Sequence, residues 1–296
     1  MILKNIAWTA WALIPVAALA YHFGPGQRAY TEDRAGELLA QARTLDAAAE
    51  AAQETAYGAH LSALKARKAG IDLKTPEATA AAKTAADAED AAYTAAAAAW
   101  RTAADKLFEA HEMLAAAGSE RAPTVRIARD RALICSGSIA EGVGDLELML
   151  DTLSDAGQET TPLADQAREE AATGYYYGAR LLRASGKPAS EWREVSGQAR
   201  QNFRYLAEPA DPVGQPADTK SADPRSAERQ KNLELVLNLE QSSSEDLQAK
   251  PLPKYSPRRG GDGLREGKNP GKSKRPPRRK SDARGAGGVG DVPGGW

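Results

Sequence analysis

The sequence predicts an all-α protein with an apolar N-terminal segment and a basic C-terminal tail. Residues 27–117 are rich in alanine, and large apolar residues within them recur every seven residues, which is typical of packed helices. In residues 120–208, residues that start and stop helices alternate at short intervals. From residue 250 onward proline, glycine, lysine and arginine dominate, and no apolar periodicity remains.

The net charge of −1 conceals an uneven distribution. Residues 24–249 are acidic overall, whereas residues 250–296 hold thirteen basic and four acidic residues. An acidic body therefore carries a strongly basic tail. The single cysteine, Cys135, excludes an internal disulfide framework, and in a stretch predicted to be helical such a residue is typically a small buried apolar group.

Residues 1–23 form a segment directed to a membrane. Residues 6–23 carry no formal charge at neutral pH, Lys4 precedes them, and Ala18-Leu19-Ala20 fits the small-residue cleavage site of a signal peptide. The apolar run continues to Phe23 beyond that site, which favours an uncleaved signal-anchor with a single transmembrane helix. A buried core helix of a soluble protein is the remaining interpretation.

The place of this segment at the N-terminus favours export of the rest of the chain. The basic residues on its two sides give almost no further bias in orientation. We therefore expect the protein at a membrane or the cell envelope, with its body outside the cytoplasm.

Residues 27–117 are predicted to form a long antiparallel hairpin of two alanine-rich helices. The first half has alanines at strict seven-residue spacing: Ala35, Ala42, Ala49, Ala56 and Ala63. In the second half larger residues keep this spacing, each followed by alanine three residues later: Tyr93, Trp100, Leu107 and Leu114. Such a seam lets two helices approach closely. Because alanine buries little apolar area, other helices of the chain or a second copy are expected to cover part of the hairpin.

The turn of the hairpin is predicted at residues 70–75. Gly70 suits the position just after a helix, where a left-handed backbone is common. Thr75 and Pro76 then fit the N-cap and first position of the next helix. A short turn between two long helices makes them antiparallel neighbours.

Shorter helices are predicted in residues 120–208. Glycine and proline signals separate them into helices at about residues 124–140, 145–156, 162–184 and 189–207. Consecutive pairs of short helices are typical of helical-repeat domains. The segment from Tyr175 through Gly178-Ala179 and Leu182 to Gly186 resembles helix A of a tetratricopeptide repeat (TPR), and residues 191–207 resemble its helix B.

A wider resemblance rests on three short stretches of the sequence. They are the junction from Tyr21 to Gln27, the segment from Tyr175 to Ala179, and Leu239-Glu240-Gln241. With them, the chain resembles a group of uncharacterised, envelope-associated planctomycete proteins over residues 20–255. This resemblance implies protein binding and attaches no activity.

The aromatic and basic residues of the helical block support two interpretations. Packing within the core and between repeats is the simpler one. The other is an aromatic-lined groove for a partner peptide, rimmed by arginines that favour an acidic partner, although glutamates among them also fit a solvated face. The candidate groove residues are Tyr175, Tyr176, Arg180, Arg183, Trp192 and Arg200.

The last third of the chain is predicted to contain a linker, one helix and a tail. Prolines mark residues 209–223 as the linker, and residues 224–248 are predicted to be helical. Residues 250–296 hold too few apolar residues to form a core and are predicted to be disordered. The tail either keeps the protein soluble or binds a polyanion, namely nucleic acid, anionic lipid or an envelope polymer. The candidate polyanion contacts are Lys272, Lys274, Arg275, Arg278, Arg279 and Lys280.

The sequence contains no complete catalytic motif. His111-Glu112 begins like a zinc-protease helix, but Ala115 stands where the second histidine is required. Gly271-Lys272-Ser273 resembles the end of a phosphate-binding loop, but Glu266 stands where its first glycine is required. We therefore expect neither an enzyme nor a cofactor or metal site.

These observations predict a membrane-anchored helical scaffold that binds other proteins at the cell envelope. Polyanion binding through the tail is the alternative function. Residues 6–23 are expected to contact the membrane, and a second copy of the chain is one candidate partner for the alanine-rich hairpin, beside helices of the same chain.

Overall fold

The computed structural model describes residues 2–23, 25–207, 224–261 and 264. These residues form helices and contain no strand, so the predicted all-α class is confirmed for the described part of the chain. The chain divides into two compact units, Met1–Ser136 and Gly137–Trp296.

The first unit contains four helices in the described residues. They are α1 (Ile2–Phe23), α2 (Pro25–Leu73), α3 (Pro76–Ala116) and α4 (Ala122–Ser136). The large apolar side chains described on α1, including Trp8 and Trp11, are exposed. In the described stretches of the chain, no helix is both long enough and apolar enough to cross a membrane. The segment predicted as an anchor is therefore helical but does not meet that requirement.

The predicted hairpin is formed by α2 and α3, which pack along their length. All five alanines at seven-residue spacing in α2 are buried, as are Tyr93, Trp100, Leu107 and Leu114 of α3. The heptad register deduced from the sequence is therefore the register of the buried seam.

The turn of the hairpin is shorter than predicted. Helix α2 continues through Gly70 to Leu73, and Lys74 takes the left-handed backbone with φ 53°. The assignment of Gly70 to the end of the helix was therefore wrong. A Cβ at Gly70 would lie 3.6 Å from the carbonyl oxygen of Ala78, so this glycine lies where the two helices are close. Thr75 caps α3 as predicted, accepting a hydrogen bond from the Ala78 amide.

Helix α4 packs against α3 and belongs to the first unit, although the sequence placed it in the second helical block. The Arg129 guanidinium lies over the Phe108 ring at 5.2 Å, and Arg131 lies 3.8 Å from the Glu50 carboxylate. The break after α4 comes at Gly137, whose φ is 95°, and not at the predicted position beyond residue 140.

The second unit contains five helices in its described residues. They are α5 (Ile139–Asp155), α6 (Pro162–Ala184), α7 (Ala189–Ala207), α8 (Pro224–Gln241) and α9 (Ser244–Ala249). Helix α6 packs between α5 and α7, and α8 packs against α7. The bounds of α6 and α7 agree with the prediction, because Thr161 caps α6 and the turn after Ala184 contains Gly186 and Pro188.

The predicted helix at residues 224–248 is two helices. Ser243 starts α9 with a capping box, in which its hydroxyl accepts from the Asp246 amide and its own amide donates to the Asp246 carboxylate. Local capping therefore interrupts a stretch whose composition suits one helix. The predicted linker, residues 209–223, lies outside the described residues.

Residues 250–261 follow α9 in a non-helical course along α6, and we call this segment the strap. Ser256, Pro257 and Gly261 of the strap are buried. The sequence assigned these residues to the start of a disordered tail, because the strap has no apolar periodicity. The strap is instead held by backbone-directed contacts. The rest of the tail, except Leu264, lies outside the described residues.

Candidate functional site

The six candidate groove residues all lie in the second unit, on α6 and α7. Trp192 lies beside Arg183, and Tyr176 lies beside Arg180. Arg180, Arg183 and Arg200 form a surface that contacts α8, the end of α9 and the strap. We call that surface the α6–α7 face, and residues 224–261 together with Leu264 the C-terminal arm. The groove predicted for a partner peptide is therefore occupied by a segment of the same chain.

Arg183 holds the end of α8. Its guanidinium stacks over the Trp192 ring at 4.6 Å and donates hydrogen bonds to the carbonyl oxygens of Leu239 and Ser242. The last carbonyls of a helix lack partners within the helix and lie at the negative end of its dipole. Arg183 therefore supplies both a hydrogen-bond donor and a positive charge to the C-terminus of α8.

Arg180 holds the end of α9 in the same way. This buried guanidinium donates to the carbonyl oxygens of Lys250 at 3.1 Å and Pro251 at 2.9 Å, and Lys250 is the C-cap of α9. Arg180 and Arg183 are three residues apart, so they lie on one side of α6. Beside them, burial raises the pKa of the Tyr176 hydroxyl, and Arg180 offsets part of that rise. The two arginines thus supply hydrogen-bond donors to the C-terminal ends of two helices, α8 and α9.

A third contact fixes the side of α8. The Glu240 carboxylate accepts from the buried Ser196 hydroxyl at 2.9 Å and from Arg200 at 2.7 Å. Arg200 is nearly half exposed, so the pair is partly screened by water. The sequence did not predict Ser196 or Glu240 as site residues, because their contact depends on the return of the chain after the linker.

Tyr175 does not face the arm. Its hydroxyl donates a hydrogen bond to the Glu147 carboxylate on α5. Burial raises the pKa of the Tyr175 hydroxyl and also that of the Glu147 carboxyl. This residue therefore belongs to the packing of α5 on α6, as the simpler sequence interpretation predicts.

Two glycines let the strap lie against the backbone of the helices. A Cβ at Gly261 would come 3.1 Å from the carbonyl oxygen of Gly178 and 3.3 Å from the Leu181 Cβ. Gly260 has a φ of 118°, and a Cβ there would overlap the carbonyl oxygen of Gly137. The pair Gly260-Gly261 was visible in the sequence, but only the docked course shows why glycine is needed.

Further contacts attach the start of the arm. Arg229 of α8 donates to the carbonyl oxygen of Leu206 at 3.5 Å, and it lies 3.8 Å from the Asp165 carboxylate of α6. Beneath the arm, Arg168 of α6 stacks over the Tyr205 ring of α7 at 4.2 Å, which joins the two helices of the face. The α6–α7 face therefore holds the arm from α8 to the strap.

A separate polar cluster lies in the seam of the α2–α3 hairpin. The His60 Nδ1 atom is 2.6 Å from the Glu89 carboxylate, whose other oxygen is 3.1 Å from Arg67. His60 and Glu89 are buried, and the Tyr93 ring meets the His60 ring edge to face. No partner for His60 is evident near it in the sequence, since Glu89 is 29 residues away and reaches it only across the hairpin.

The groups of the α6–α7 face bind main-chain carbonyls and a carboxylate of the C-terminal arm. In the described residues no group of three or more histidine, cysteine, aspartate or glutamate side chains is arranged to hold a metal ion. The six candidate polyanion contacts at residues 272–280 lie outside the described residues.

Comparisons with known proteins find no match for this chain among protein-family models, curated proteins or solved structures. The resemblance to TPR proteins and to planctomycete envelope proteins therefore rests on the sequence stretches alone and stays a prediction.

Proposed function

We propose that this protein is a helical scaffold that binds other proteins through its α6–α7 face. The observation that carries the proposal is how that face holds the C-terminal arm. Arg180 and Arg183 donate to main-chain carbonyls, and Arg200 pairs with a carboxylate. Arginine forks aimed at helix ends and acidic side chains can hold a segment of another protein by the same chemistry.

The proposal includes a place at a membrane or the cell envelope. Support for this part comes from the uncharged segment at residues 6–23 and from the exposure of the described apolar side chains on α1. Exposed large apolar groups on one helix are costly in water unless another surface covers them. Fractionation of cells that make the full chain tests this part: recovery in the soluble fraction would contradict it.

Site-specific photo-crosslinking tests the protein-binding proposal. A photoreactive residue at the exposed position 193 of α7, beside Trp192 on this face, should give one discrete adduct in the cells that naturally make the protein. The same residue at the exposed position 83 of α3 is the matched control and should not give that adduct. Equal labelling from both positions, or none from position 193, would contradict the proposal.

The excess of nine positive charges in residues 250–296 favours polyanion binding as a second candidate function. Counter-ion release makes such binding weaken steeply as salt increases. Replacing the six basic residues at 272–280 by glutamine should therefore abolish salt-sensitive retention on heparin. Unchanged retention would exclude this role for the tail.

A further inference from the structure

The strap is weakly held in comparison with the helices beneath it. Only three of its twelve residues, Ser256, Pro257 and Gly261, are buried, whereas most of α6 from Ala171 to Leu182 is buried. Segments with few buried groups open locally at a lower free energy than the whole fold. The strap can therefore leave α6 while α5, α6 and α7 stay packed.

The surface under the strap accepts a narrow class of chain. Arg180 requires two successive carbonyl oxygens after a helix end, which Lys250 and Pro251 provide. A side chain is excluded where Gly260 lies against Gly137, and the space for one is tight where Gly261 lies against Gly178. A fitting segment is extended, contains proline and has a Gly-Gly pair about ten residues after its helix. The strap itself satisfies each of these conditions.

Because the strap meets these conditions, the strap of a second copy can bind the surface that a copy's own strap has left. When two copies exchange straps, each α6–α7 face makes with the partner's strap the contacts that it makes with its own. The exchange is symmetric. The strap of the same chain competes at an effective concentration on the order of millimolar, so exchange requires a high local concentration of the protein. A membrane or a scaffold assembly supplies such a concentration.

We propose that the α6–α7 face binds the strap of a second copy, so that two chains associate by reciprocal strap exchange. This inference uses the surface of the proposed function but needs no foreign partner. The crosslinking of position 193 to another protein can therefore fail while strap exchange succeeds, and the reverse.

Engineered disulfides test the exchange directly. A Cβ at position 261 would lie 3.3 Å from the Leu181 Cβ, close to the roughly 3.5–4.5 Å spacing of a disulfide. One full-length chain carries Leu181→Cys and another carries Gly261→Cys. After the two are mixed at high concentration and mildly oxidised, we expect a disulfide-linked heterodimer whose yield rises with concentration.

Two controls make the result decisive. The double variant with both substitutions in one chain should close an internal disulfide at low concentration, and its failure would overturn the docked geometry. Leu181→Cys mixed with Gly157→Cys measures random collision, because position 157 is exposed on a turn of the same unit. A heterodimer yield no greater than in this control would overturn strap exchange.

Sedimentation gives a second measurement without cysteines. Gly260→Ala blocks docking of the strap, since the added Cβ would overlap Gly137, whereas Gly157→Ala also replaces a positive-φ glycine but meets nothing within 4 Å. The wild type and Gly157→Ala should form dimers as concentration rises, and Gly260→Ala should not. Equal dimer fractions in all three chains would contradict the inference.

Discussion

At the residue scale, arginine side chains add hydrogen bonds to main-chain carbonyls where the arm meets α6, beside the buried apolar residues of the arm. Arg183 donates hydrogen bonds to the carbonyl oxygens of Leu239 and Ser242 at the end of α8, while its planar guanidinium stacks on Trp192. A lysine would supply the charge but neither the fork nor the stacking surface. The identity of this residue is therefore fixed by geometry as well as by charge.

Arg183→Ala should release α8 from the α6–α7 face. Hydrogen bonds from a charged donor contribute about 1.5–3 kcal/mol, so we expect the free energy of opening α8 to fall by about 2 kcal/mol. Hydrogen exchange of the α8 amides, followed by mass spectrometry, measures this change. Arg193→Ala is the matched control, because Arg193 also lies over Trp192, at 5.2 Å, but is exposed on α7. Equal exchange in both variants would contradict the capping role.

The Glu147 carboxyl gives the second unit a pH dependence. Burial raises its pKa above the usual 4.5, and the Tyr175 hydrogen bond only partly opposes this. Between 4.5 and the raised pKa, the folded chain keeps a proton that the unfolded chain has lost. This group therefore favours folding at low pH, and its contribution is lost as the pH rises through the folded pKa.

Glu147→Gln should remove that dependence. The amide oxygen can still accept from Tyr175, but it carries no charge at any pH. Urea unfolding at a series of pH values should show the variant gaining stability relative to the wild type as the pH rises above 4.5. A difference between the two proteins that does not change with pH would contradict this account.

At the element scale, the hairpin needs a device that sets its register. Alanines repeat every seven residues along α2, so a slip of one heptad would preserve much of the seam. Glu89 meets both His60 and Arg67 in only one register. Buried polar groups in coiled coils are known to fix register in this way.

Glu89→Ala should therefore destabilise the hairpin. A buried polar group that loses a hydrogen-bond partner costs about 1–3 kcal/mol, so removal of the carboxylate beside the buried His60 ring should cost about 2 kcal/mol. Urea unfolding followed by circular dichroism measures the loss. Asp87→Ala, at an exposed position two residues away, is the control and should change stability by less than about 0.5 kcal/mol. A similar small effect in both variants would exclude a register role for Glu89.

The success of sequence prediction also varied by element. Heptad spacing located the α2–α3 seam, and Thr-Pro and Gly-Pro signals located both ends of α6. Gly70 was misassigned because glycine serves equally in turns and at close helix contacts, and only the fold distinguishes the two. The strap could not be predicted, since its attachment depends on Arg180 meeting carbonyls 70 residues later in the chain.

At the scale of the whole molecule, two kinds of helical unit are joined in one chain. The first unit is dominated by an alanine seam, and none of residues 64–88 around its turn is buried. Ile71 and Leu73 at the turn are exposed. Pairing of this hairpin with a second copy, expected from its low apolar content, stays a prediction. In the second unit, the α6–α7 face holds a segment of the same chain, the C-terminal arm.

Whether the α6–α7 face binds a chain segment is measured by adding a labelled synthetic peptide of residues 243–264 to the full-length protein. Gly260→Ala vacates the surface of its own strap, so it should bind the peptide saturably in fluorescence anisotropy. The wild type and Gly157→Ala should bind it much more weakly, because their own straps occupy the face. If folded Gly260→Ala binds the peptide no better than these two chains, the α6–α7 face is not a segment-binding surface.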